Sequence, residues 1–324
     1  MVKAIRVHET GGPEVLRYED VDLPAPGPGE VQIRQHAVGL NFIDVYFRTG
    51  AYPAPSLPFT PGNEGAGEVV ALGAGVTGFK VGDRVAYAGS LGGYAAARNI
   101  EAKFLVSLPD AISYETGAAM MLKGLTAEYL LFRSYPVKPG DVVLVHAAAG
   151  GVGLILCQWA RLLGATVIGT AGSEDKARLA REAGAHDVIN YNKEDFVVRV
   201  KEITGGNLCH AVYDSIGKAT FPGSLDCLRP FGTFVSFGAA SGPIDAFNIG
   251  LLAQKGSLYA TRPTLFTHLA VEGRLAEMAA QLTEVVGSGK VKIAIHSRLP
   301  LAQAAEAHRA LEARETTGAT VLLP

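Results

Sequence analysis

The stretch HAAAGGVG at residues 146–153 decides the fold, because it joins the apolar run VVLV to the helical pattern LILCQWARLLG. Ala148, Gly150 and Gly153 stand at the three small-residue places of the G-x-G-x-x-G turn, which carries a strand into a helix beside a pyrophosphate. Alanine fits the first place only if its φ stays negative. We therefore expect a dinucleotide-binding turn here, with a glycine turn used only for close packing as the alternative.

The sequence around this turn is a series of strand-like runs that alternate with helical patterns. The runs are VVLVH, TVIGTA, DVIN, HAVYDS and TFVSFG, and a helical pattern lies between each run and the next. Such alternation predicts right-handed βαβ crossovers in a doubly wound parallel sheet, an α/β fold. Gly164 and Gly184 are expected to end two of the helices as left-handed caps. A last strand is expected at residues 257–260.

The rest of the sequence divides the chain into three segments. Residues 1–124 contain short strand patterns separated by turn sequences such as PAPGPGE, which predicts an irregular β-barrel domain. Residues 125–264 are expected to form the parallel-sheet domain, and residues 265–324 are expected to return to the first domain. The strands expected in the first domain are residues 3–8, 31–38, 67–72, 84–88 and 95–99. The final segment is expected to hold a helix at 267–286, a strand at 292–296, a helix at 301–314 and a short last strand.

Length, charge and cysteine content limit the classes of function. The 324 residues suffice for two domains, and 29 Lys and Arg against 31 Asp and Glu argue against a nucleic-acid partner. The three cysteines are too few for a disulfide framework and no secretory signal is expected, so we expect a cytoplasmic protein. The uncharged stretch 142–160 is interrupted by glycines, and we interpret it as strand and helix rather than as a membrane span.

The end of the second strand indicates which dinucleotide is bound. An NAD site places Asp or Glu there to accept from the ribose 2′-hydroxyl. Here the strand ends in Gly172 and Ser173, with Lys176 one turn later, so backbone amides, a hydroxyl and an ammonium suit a 2′-phosphate. We therefore expect NADPH, with Glu174 and Asp175 as solvent-facing acids at a helix N-terminus.

Further segments make the chain resemble a known family over essentially its whole length. The most specific is the pattern that runs from Gly140 to Arg161 and includes the glycine turn. The other matching segments are Asn41-Phe42-Ile43-Asp44, Lys123-Gly124-Leu125-Thr126, residues 212–217 and Thr261-Arg262-Pro263. The chain resembles the zinc-free quinone oxidoreductases of the ζ-crystallin type, in the medium-chain dehydrogenase/reductase superfamily. The resemblance implies a GroES-like domain that carries the substrate and a Rossmann domain that carries NADPH, with the nicotinamide held between them.

The expected cofactor contacts come partly from the turn and partly from the resemblance. The turn and the second strand predict Gly150, Gly151 and Val152 at the diphosphate, and Gly172, Ser173 and Lys176 at the 2′-phosphate. The resemblance adds Thr126, Tyr129, Tyr191, Ser215, Phe237, Gly238, Thr261, Arg262, Pro263 and Arg314. It also implies a homodimer in which two parallel sheets meet edge to edge near residues 257–260.

Two asparagines argue against the zinc that alcohol dehydrogenases of the same superfamily use. By the resemblance, Asn41 and Asn63 stand where those enzymes have a cysteine and a histidine ligand. Carboxamides are poor zinc ligands, and the first domain has no cysteine for a structural zinc lobe. Without a metal to polarise an alcohol, we expect a quinone or another conjugated carbonyl as substrate, because its own conjugation spreads the incoming charge.

The candidate catalytic residues are Asn41, Asp44, Tyr46 and Tyr52, in the segment where the resembled family builds its substrate cleft. Asn41 could donate to a quinone oxygen or to the nicotinamide-side ribose, and the tyrosines could donate to the ring or stack on it. The alternatives are packing of the tyrosines at the barrel rim and a bond from Asp44 to loop backbone. No general acid stands out. Three functions stay open: a quinone reductase, an enone or alkenal double-bond reductase with the same cofactor, and a low-turnover NADPH-binding protein of the crystallin or RNA-binding kind.

Overall fold

In the computed structural model, which describes all 324 residues, the chain falls into two units. The first comprises Met1–Leu125, Val271–Gly287 and Ile293–Pro324, and the second comprises Thr126–Ala270 and Ser288–Lys292. The strands are β1 (Val2–Val7), β2 (Leu16–Val21), β3 (Glu30–Gly39), β4 (Glu64–Leu72), β5 (Arg84–Ala88), β6 (Ala97–Glu101), β7 (Leu105–Ser107), β8 (Val142–Val145), β9 (Thr166–Ala171), β10 (Asp187–Asn190), β11 (Cys209–Asp214), β12 (Leu228–Ser236), β13 (Tyr259–Thr261), β14 (Ile295–Pro300) and β15 (Ala319–Leu323). The helices are α1 (Phe42–Thr49), α2 (Tyr114–Tyr129), α3 (Gly151–Leu162), α4 (Glu174–Glu182), α5 (Phe196–Ile203), α6 (Gly223–Asp226), α7 (Gly250–Gln254), α8 (Leu265–Leu269), α9 (Arg274–Gly287) and α10 (Ala304–Glu312).

The second unit is built on a six-stranded parallel sheet in the order β10-β9-β8-β11-β12-β13. The strand order reverses beside β8, which confirms the predicted doubly wound α/β fold. Central strands of such a sheet are apolar throughout because helices cover both faces, and Val143, Leu144 and Val145 are indeed fully buried. Gly164 and Gly184, which follow α3 and α4, adopt left-handed φ values of 87° and 104°, as expected of helix caps.

The first unit is built on a seven-stranded, mainly antiparallel sheet in the order β14-β15-β3-β4-β5-β7, with β6 paired to β3. Strands β1 and β2 form a separate two-stranded ribbon. Side chains along β3 alternate between the two faces of the sheet. Val31 and Ile33 are buried in the core, whereas Arg34, on the other face, is exposed.

The bounds of several predicted elements are wrong. The helix expected at 267–286 is two helices, α8 and α9, because Gly273 turns the chain between them at a φ of 73°. The helix expected at 301–314 shortens to α10, and the strand expected at 292–296 is β14. The sequence patterns also miss β2, β7, α1, α2 and α7. None of the helices has both the length and the apolar composition that crossing a bilayer requires.

Candidate functional site

The glycine turn lies at the carboxyl end of β8 and leads into α3. A Cβ on Gly153 would lie 2.3 Å from the carbonyl oxygen of Ala147 and 2.8 Å from the backbone of Ala148, so the helix packs directly on the turn. Ala147 takes a left-handed φ of 51°, whereas Ala148 does not, as the first small-residue place requires. No side chain caps α3 at Gly150, so the N–H groups of its first turn can serve an anion. Close packing and diphosphate binding are therefore both compatible with this turn.

The residues expected to bind the cofactor follow the carboxyl ends of all six parallel strands. They are Gly150, Gly151 and Val152 after β8, Gly172, Ser173 and Lys176 after β9, Tyr191 after β10, Ser215 after β11, Phe237 and Gly238 after β12, and Thr261, Arg262 and Pro263 at the end of β13. Carboxyl ends of parallel strands share one edge of the sheet, and a crevice opens there where the strand order reverses. The topology therefore brings these residues to a single edge.

Two glycines at this edge are closely approached, Gly172 by a side-chain end and Gly238 by backbone, and only the second approach requires glycine. A Cβ on Gly172 would lie 2.5 Å from the hydroxyl oxygen of Tyr191. A Cβ on Gly238 would lie 2.6 Å from the carbonyl oxygen of Ser215. In both cases two residues expected at the cofactor meet each other, because the missing side chain lets neighbouring loops come together.

Three of the expected cofactor residues lie away from the strand ends. Thr126 and Tyr129 are buried in the last turn of α2, where the ring of Tyr129 stacks on His268 with 4.7 Å between ring centroids. Arg314 lies in the first unit, just after α10, with a left-handed φ of 59°. The topology of the parallel sheet therefore does not by itself bring these three residues to the proposed cofactor edge.

The start of α4 is the segment expected at the 2′-phosphate. Ser173 caps the helix, because its Oγ accepts a hydrogen bond from the backbone N–H of Lys176 at 3.3 Å. Glu174 is exposed, as expected, and its carboxylate accepts hydrogen bonds from Asn190 at 3.1 Å and from Lys193 at 3.4 Å. The bond from Asn190, and then that from Lys193, lowers the pKa of Glu174. Glu174, the acid next to the expected phosphate site, is thus already hydrogen-bonded to residues at and just after the end of β10.

A buried carboxylate, which the sequence analysis missed, fixes the loop after β11. Asp214 is fully buried, and its Oδ1 accepts from the backbone N–H groups of Ile216 and Gly217 at 2.8 and 3.0 Å. Its Oδ2 accepts from the hydroxyl groups of Thr220 and Ser224, both at 2.7 Å. Asp214 therefore sets the path of the loop that carries Ser215, one of the expected cofactor residues.

His146 extends this network to the glycine turn, of which it is the first residue. Its Nε2 lies 3.1 Å from the Ser224 oxygen and its Nδ1 lies 3.0 Å from the Thr170 oxygen. Because the Ser224 hydroxyl donates to Asp214, it accepts from His146, which leaves Nδ1 to accept from Thr170. Burial lowers the pKa of His146 and so favours this neutral form. The network joins the carboxyl ends of β8, β9 and β11.

Asp44, on the first turn of α1, is the centre of a second buried network, in the first unit. Its carboxylate accepts hydrogen bonds from the Asn41 backbone N–H at 2.9 Å, from Asn63 Nδ2 at 2.8 Å and from the Tyr94 hydroxyl at 3.1 Å. The bond to Asn41 holds the start of the helix, as a carboxylate does at the third position of a capping box. Asp44 is therefore positioned to orient Asn41.

The two asparagines that stand where zinc-dependent alcohol dehydrogenases have metal ligands each donate to a carboxylate. Asn63 donates to Asp44, as described above, and Asn41 Nδ2 donates to Glu64 Oε1 at 2.8 Å. Glu64 is fully buried, accepts from the Leu122 backbone N–H at 2.7 Å, and forms an ion pair with Lys123. No group of three or more His, Cys, Asp or Glu side chains in the structure is arranged to hold a metal ion. Lys123 stands in one of the motifs that carry the resemblance, but no sequence pattern assigned a role to it or to Glu64.

Tyr46 and Tyr52 lie against each other at the end of α1. Their ring centroids are 5.2 Å apart, and the backbone N–H of Tyr52 donates to the Tyr46 carbonyl at 3.0 Å. Phe47 contacts the edge of Tyr52, with ring centroids 5.9 Å apart. Both tyrosines remain partly exposed, so their packing leaves surface for a ligand.

A buried arginine ties α1 to α10. Arg48 donates to Glu312 through two bonds of 2.8 and 2.7 Å, and its Nη1 lies 3.3 Å from His308 Nδ1. Because guanidinium only donates, Nδ1 of His308 accepts and Nε2 carries the proton that faces the Tyr94 oxygen at 3.1 Å. Burial, followed by the charge of Arg48, lowers the pKa of His308 to about 3. The spacing of Asp44 and Arg48, one helical turn apart, is the only sequence signal of this arrangement.

The Asp44 carboxyl group is expected to make stability depend on pH. Burial raises its pKa from 3.8 to about 6, against the effect of its hydrogen bonds. A folded-state pKa above the unfolded value favours the protonated form, so this contribution is full below about pH 4 and is lost as the pH rises through about 6. The Asp44→Asn variant lacks this titration, while His308 stays neutral throughout the range.

We expect the free energy of unfolding of Asp44→Asn to rise relative to the unsubstituted protein by roughly 3 kcal/mol between about pH 4 and pH 7. Urea denaturation at a series of pH values measures this difference. A difference that does not change with pH would show that Asp44 is ionised in the folded protein at an ordinary pKa.

Comparison with known proteins shows that each of the two units matches a known protein family. Residues 27–139 match the family described as "Alcohol dehydrogenase GroES-like domain", and residues 151–284 match that described as "Zinc-binding dehydrogenase". The chain is 54% identical to a quinone oxidoreductase of Pseudomonas aeruginosa, with 100% of both chains covered. It is 44% identical to a 2-haloacrylate reductase of a Burkholderia species, covering 100% of this chain and 99% of the relative.

A solved structure gives the same result for the fold. The Escherichia coli quinone oxidoreductase complexed with NADPH is 48% identical and superposes with a TM-score of 0.97, covering 99% of this chain and 100% of the other. Identity at this level over the full length is far above what the fold alone produces. The chain therefore belongs to the quinone oxidoreductase family of the medium-chain dehydrogenase/reductase superfamily.

Proposed function

We propose that this protein reduces quinones with NADPH and without a metal. The observation that carries the proposal is the sheet edge at which a glycine turn, an uncapped helix and the loops of six parallel strands converge. The close packing of Gly153 on the turn leaves a cradle that fits a dinucleotide diphosphate. Bound there, NADPH would supply the hydride. The Escherichia coli relative, named as a quinone oxidoreductase in complex with NADPH, supports the same assignment.

Most of the proposed cofactor contacts are residues that follow the carboxyl ends of the parallel strands. Gly150, Gly151 and Val152 would hold the diphosphate, and Gly172, Ser173 and Lys176 would hold the 2′-phosphate. The loop residues Tyr191, Ser215, Phe237, Gly238, Thr261, Arg262 and Pro263, with Thr126, Tyr129 and Arg314, would hold the rest. On the substrate side, Asn41, Tyr46 and Tyr52 would contact the ring, and Asp44 would keep Asn41 in place.

Lys176→Ala is expected to raise the KM for NADPH by about ten- to a hundredfold while sparing NADH, because it removes roughly 1.5–3 kcal/mol of charged hydrogen bonding. Steady-state kinetics with both cofactors measures the effect. Lys201→Ala, which removes an exposed lysine from α5, is the matched control. Equal changes for both cofactors in Lys176→Ala would place the 2′-phosphate elsewhere.

The metal-free part of the proposal is supported by Asn41 and Asn63, whose amide groups donate to carboxylates. Carboxamide oxygens are weak zinc ligands, and the two amide N–H groups occupy lone pairs of Glu64 and Asp44, the carboxylates beside them. Elemental analysis of the purified protein tests this directly. Stoichiometric zinc would overturn it.

An NADPH-dependent enone reductase is the second candidate function. The identity of 44% to a protein named 2-haloacrylate reductase favours it. Quinones and enones both take a hydride into a conjugated system and leave charge on oxygen, so the same residues serve either substrate. Product analysis with para-benzoquinone and with an α,β-unsaturated ketone separates the two. Turnover near zero with both substrates would favour a binding protein.

We also propose a homodimer in the cytoplasm. Strand β13 lies at the end of the sheet, has a paired neighbour on one side, and leaves Tyr259 exposed. Such an edge pairs readily with a second copy. Light scattering that gives the mass of two chains supports the dimer, and the mass of one chain contradicts it.

A further inference from the structure

Lys123 is the only lysine among the buried residues, and its surroundings do not satisfy it. It lies on α2 in the first unit with 5% of its surface exposed. Its ammonium group has three protons, and Glu64 Oε1 is the one partner that the structure gives it. Buried polar groups are normally hydrogen-bonded, and an under-satisfied ammonium is costly unless a ligand completes it.

Glu64 holds this ammonium beside Asn41. Its Oε1 accepts both from Lys123 and from Asn41 Nδ2, while its Oε2 accepts from the Leu122 backbone. Gly39 leaves room for the carboxylate, since a Cβ there would lie 2.2 Å from Glu64 Oε1. Two donors of different kinds, an ammonium and a carboxamide, thus converge on one fixed oxygen atom.

We propose that Lys123 is the general acid of this site, donating a hydrogen bond and then a proton to the carbonyl oxygen of the substrate. The inference rests on the proposed function, since it concerns the oxygen of a quinone or enone. The hydride that bound NADPH would supply comes from a C–H bond that breaks as the cofactor is oxidised to NADP⁺; it would form a new bond to the conjugated system while a π electron pair moves to the oxygen. One N–H bond of Lys123 then breaks as its proton forms the O–H bond, and solvent returns a proton to the amine.

The arrangement suits this role for an electrostatic reason. A fixed cation close to the oxygen stabilises the charge that develops there more than it stabilises the neutral ground state. Glu64 keeps the cation in place without accepting its other two protons. The same geometry would also serve a purely structural ion pair, so the test must read the charge of the bound oxygen.

The probe is para-nitrophenol, whose absorbance reports whether its oxygen is ionised. It is titrated with pH in the presence of the protein loaded with NADP⁺. Lys123→Met alone would leave Glu64 buried without its cation and risks misfolding. The decisive variant is therefore the double substitution Lys123→Met with Glu64→Gln, compared with the unsubstituted protein, because Glu64→Gln alone would likewise leave Lys123 buried without its counter-ion. Lys103→Met, at an exposed lysine of the same unit, is the control for loss of a positive charge.

We expect the unsubstituted protein and Lys103→Met to lower the pKa of bound nitrophenol below its value in solution. The double variant should lose the lowering, and its kcat with para-benzoquinone should fall about a hundredfold relative to the unsubstituted protein, with a smaller change in KM.

The inference is overturned if the unsubstituted protein does not lower the pKa of nitrophenol, or if the double variant lowers it as much as the unsubstituted protein does. Its failure is distinct from failure of the proposed function. Quinone reduction that survives the double substitution defeats only the role of Lys123. A nitrophenol effect that depends on Lys123, in a protein that reduces no quinone, defeats the quinone assignment and leaves the proton donor standing.

Discussion

Gly153→Ala is expected to weaken NADPH binding by at least about a hundredfold, since a misplacement of about 1 Å at a binding site has costs of this size. The added Cβ would lie 2.3 Å from the Ala147 oxygen and 2.8 Å from the Ala148 backbone. These are backbone atoms of the turn itself and cannot swing aside as a flexible side chain can. The start of α3 must therefore shift away from β8, and with it the N–H groups proposed to bind the diphosphate. Isothermal titration calorimetry with NADPH measures the loss.

Gly287→Ala is the matched control for this substitution. Gly287 ends α9, its φ is not in the left-handed region, and the nearest atom to a new Cβ would be 4.0 Å away. It should bind NADPH as the unsubstituted protein does. Full NADPH affinity in Gly153→Ala would mean that the cofactor does not lie on this turn.

Asp214→Ala is expected to lower the free energy of unfolding by about 4 kcal/mol, because it removes four hydrogen bonds to a buried carboxylate, each contributing on the order of 1 kcal/mol. The four donors are the N–H groups of Ile216 and Gly217 and the hydroxyl groups of Thr220 and Ser224. Urea denaturation gives the value, and calorimetry on the folded variant should also show weaker NADPH binding.

Asp245→Ala is the control for loss of a carboxylate from the same unit. Asp245 is exposed and lies 4.0 Å from Lys218, a surface pair of the kind that contributes little. We expect its unfolding free energy to stay within about 0.5 kcal/mol of the original. An equal, small loss in Asp214→Ala would show that water satisfies the four donors.

The parts of the molecule that follow from local pattern were predictable from the sequence. Strand β8, the turn and α3 lie within one stretch of chain, and apolar periodicity and glycine spacing define all three. The position of Gly164 and Gly184 as helix caps follows from the same reasoning. Helix α1 was missed although Asn41 and Asp44 have the spacing of a helix cap and its third residue, a signal that was available.

The buried networks could not be predicted because they join residues far apart in the chain. Glu64 and Lys123 come from β4 and α2, and His146 meets Asp214 only through Ser224. No periodicity or motif spacing records such pairings, since they depend on how strands and helices pack. For the same reason, no general acid could be predicted from the sequence. Lys123 becomes a candidate only once the fold places Glu64 beside it.

The measurement that tests the central claim most directly is the steady-state oxidation of NADPH by para-benzoquinone, with protein whose metal content has been determined after chelation. We expect enzyme-dependent formation of the hydroquinone, one per NADPH consumed, with metal-free protein as active as untreated protein. We also expect kcat/KM to favour NADPH over NADH by at least about tenfold, as a 2′-phosphate bound by Ser173 and Lys176 requires. No hydroquinone above the uncatalysed rate, or activity that disappears with the metal, would contradict the account.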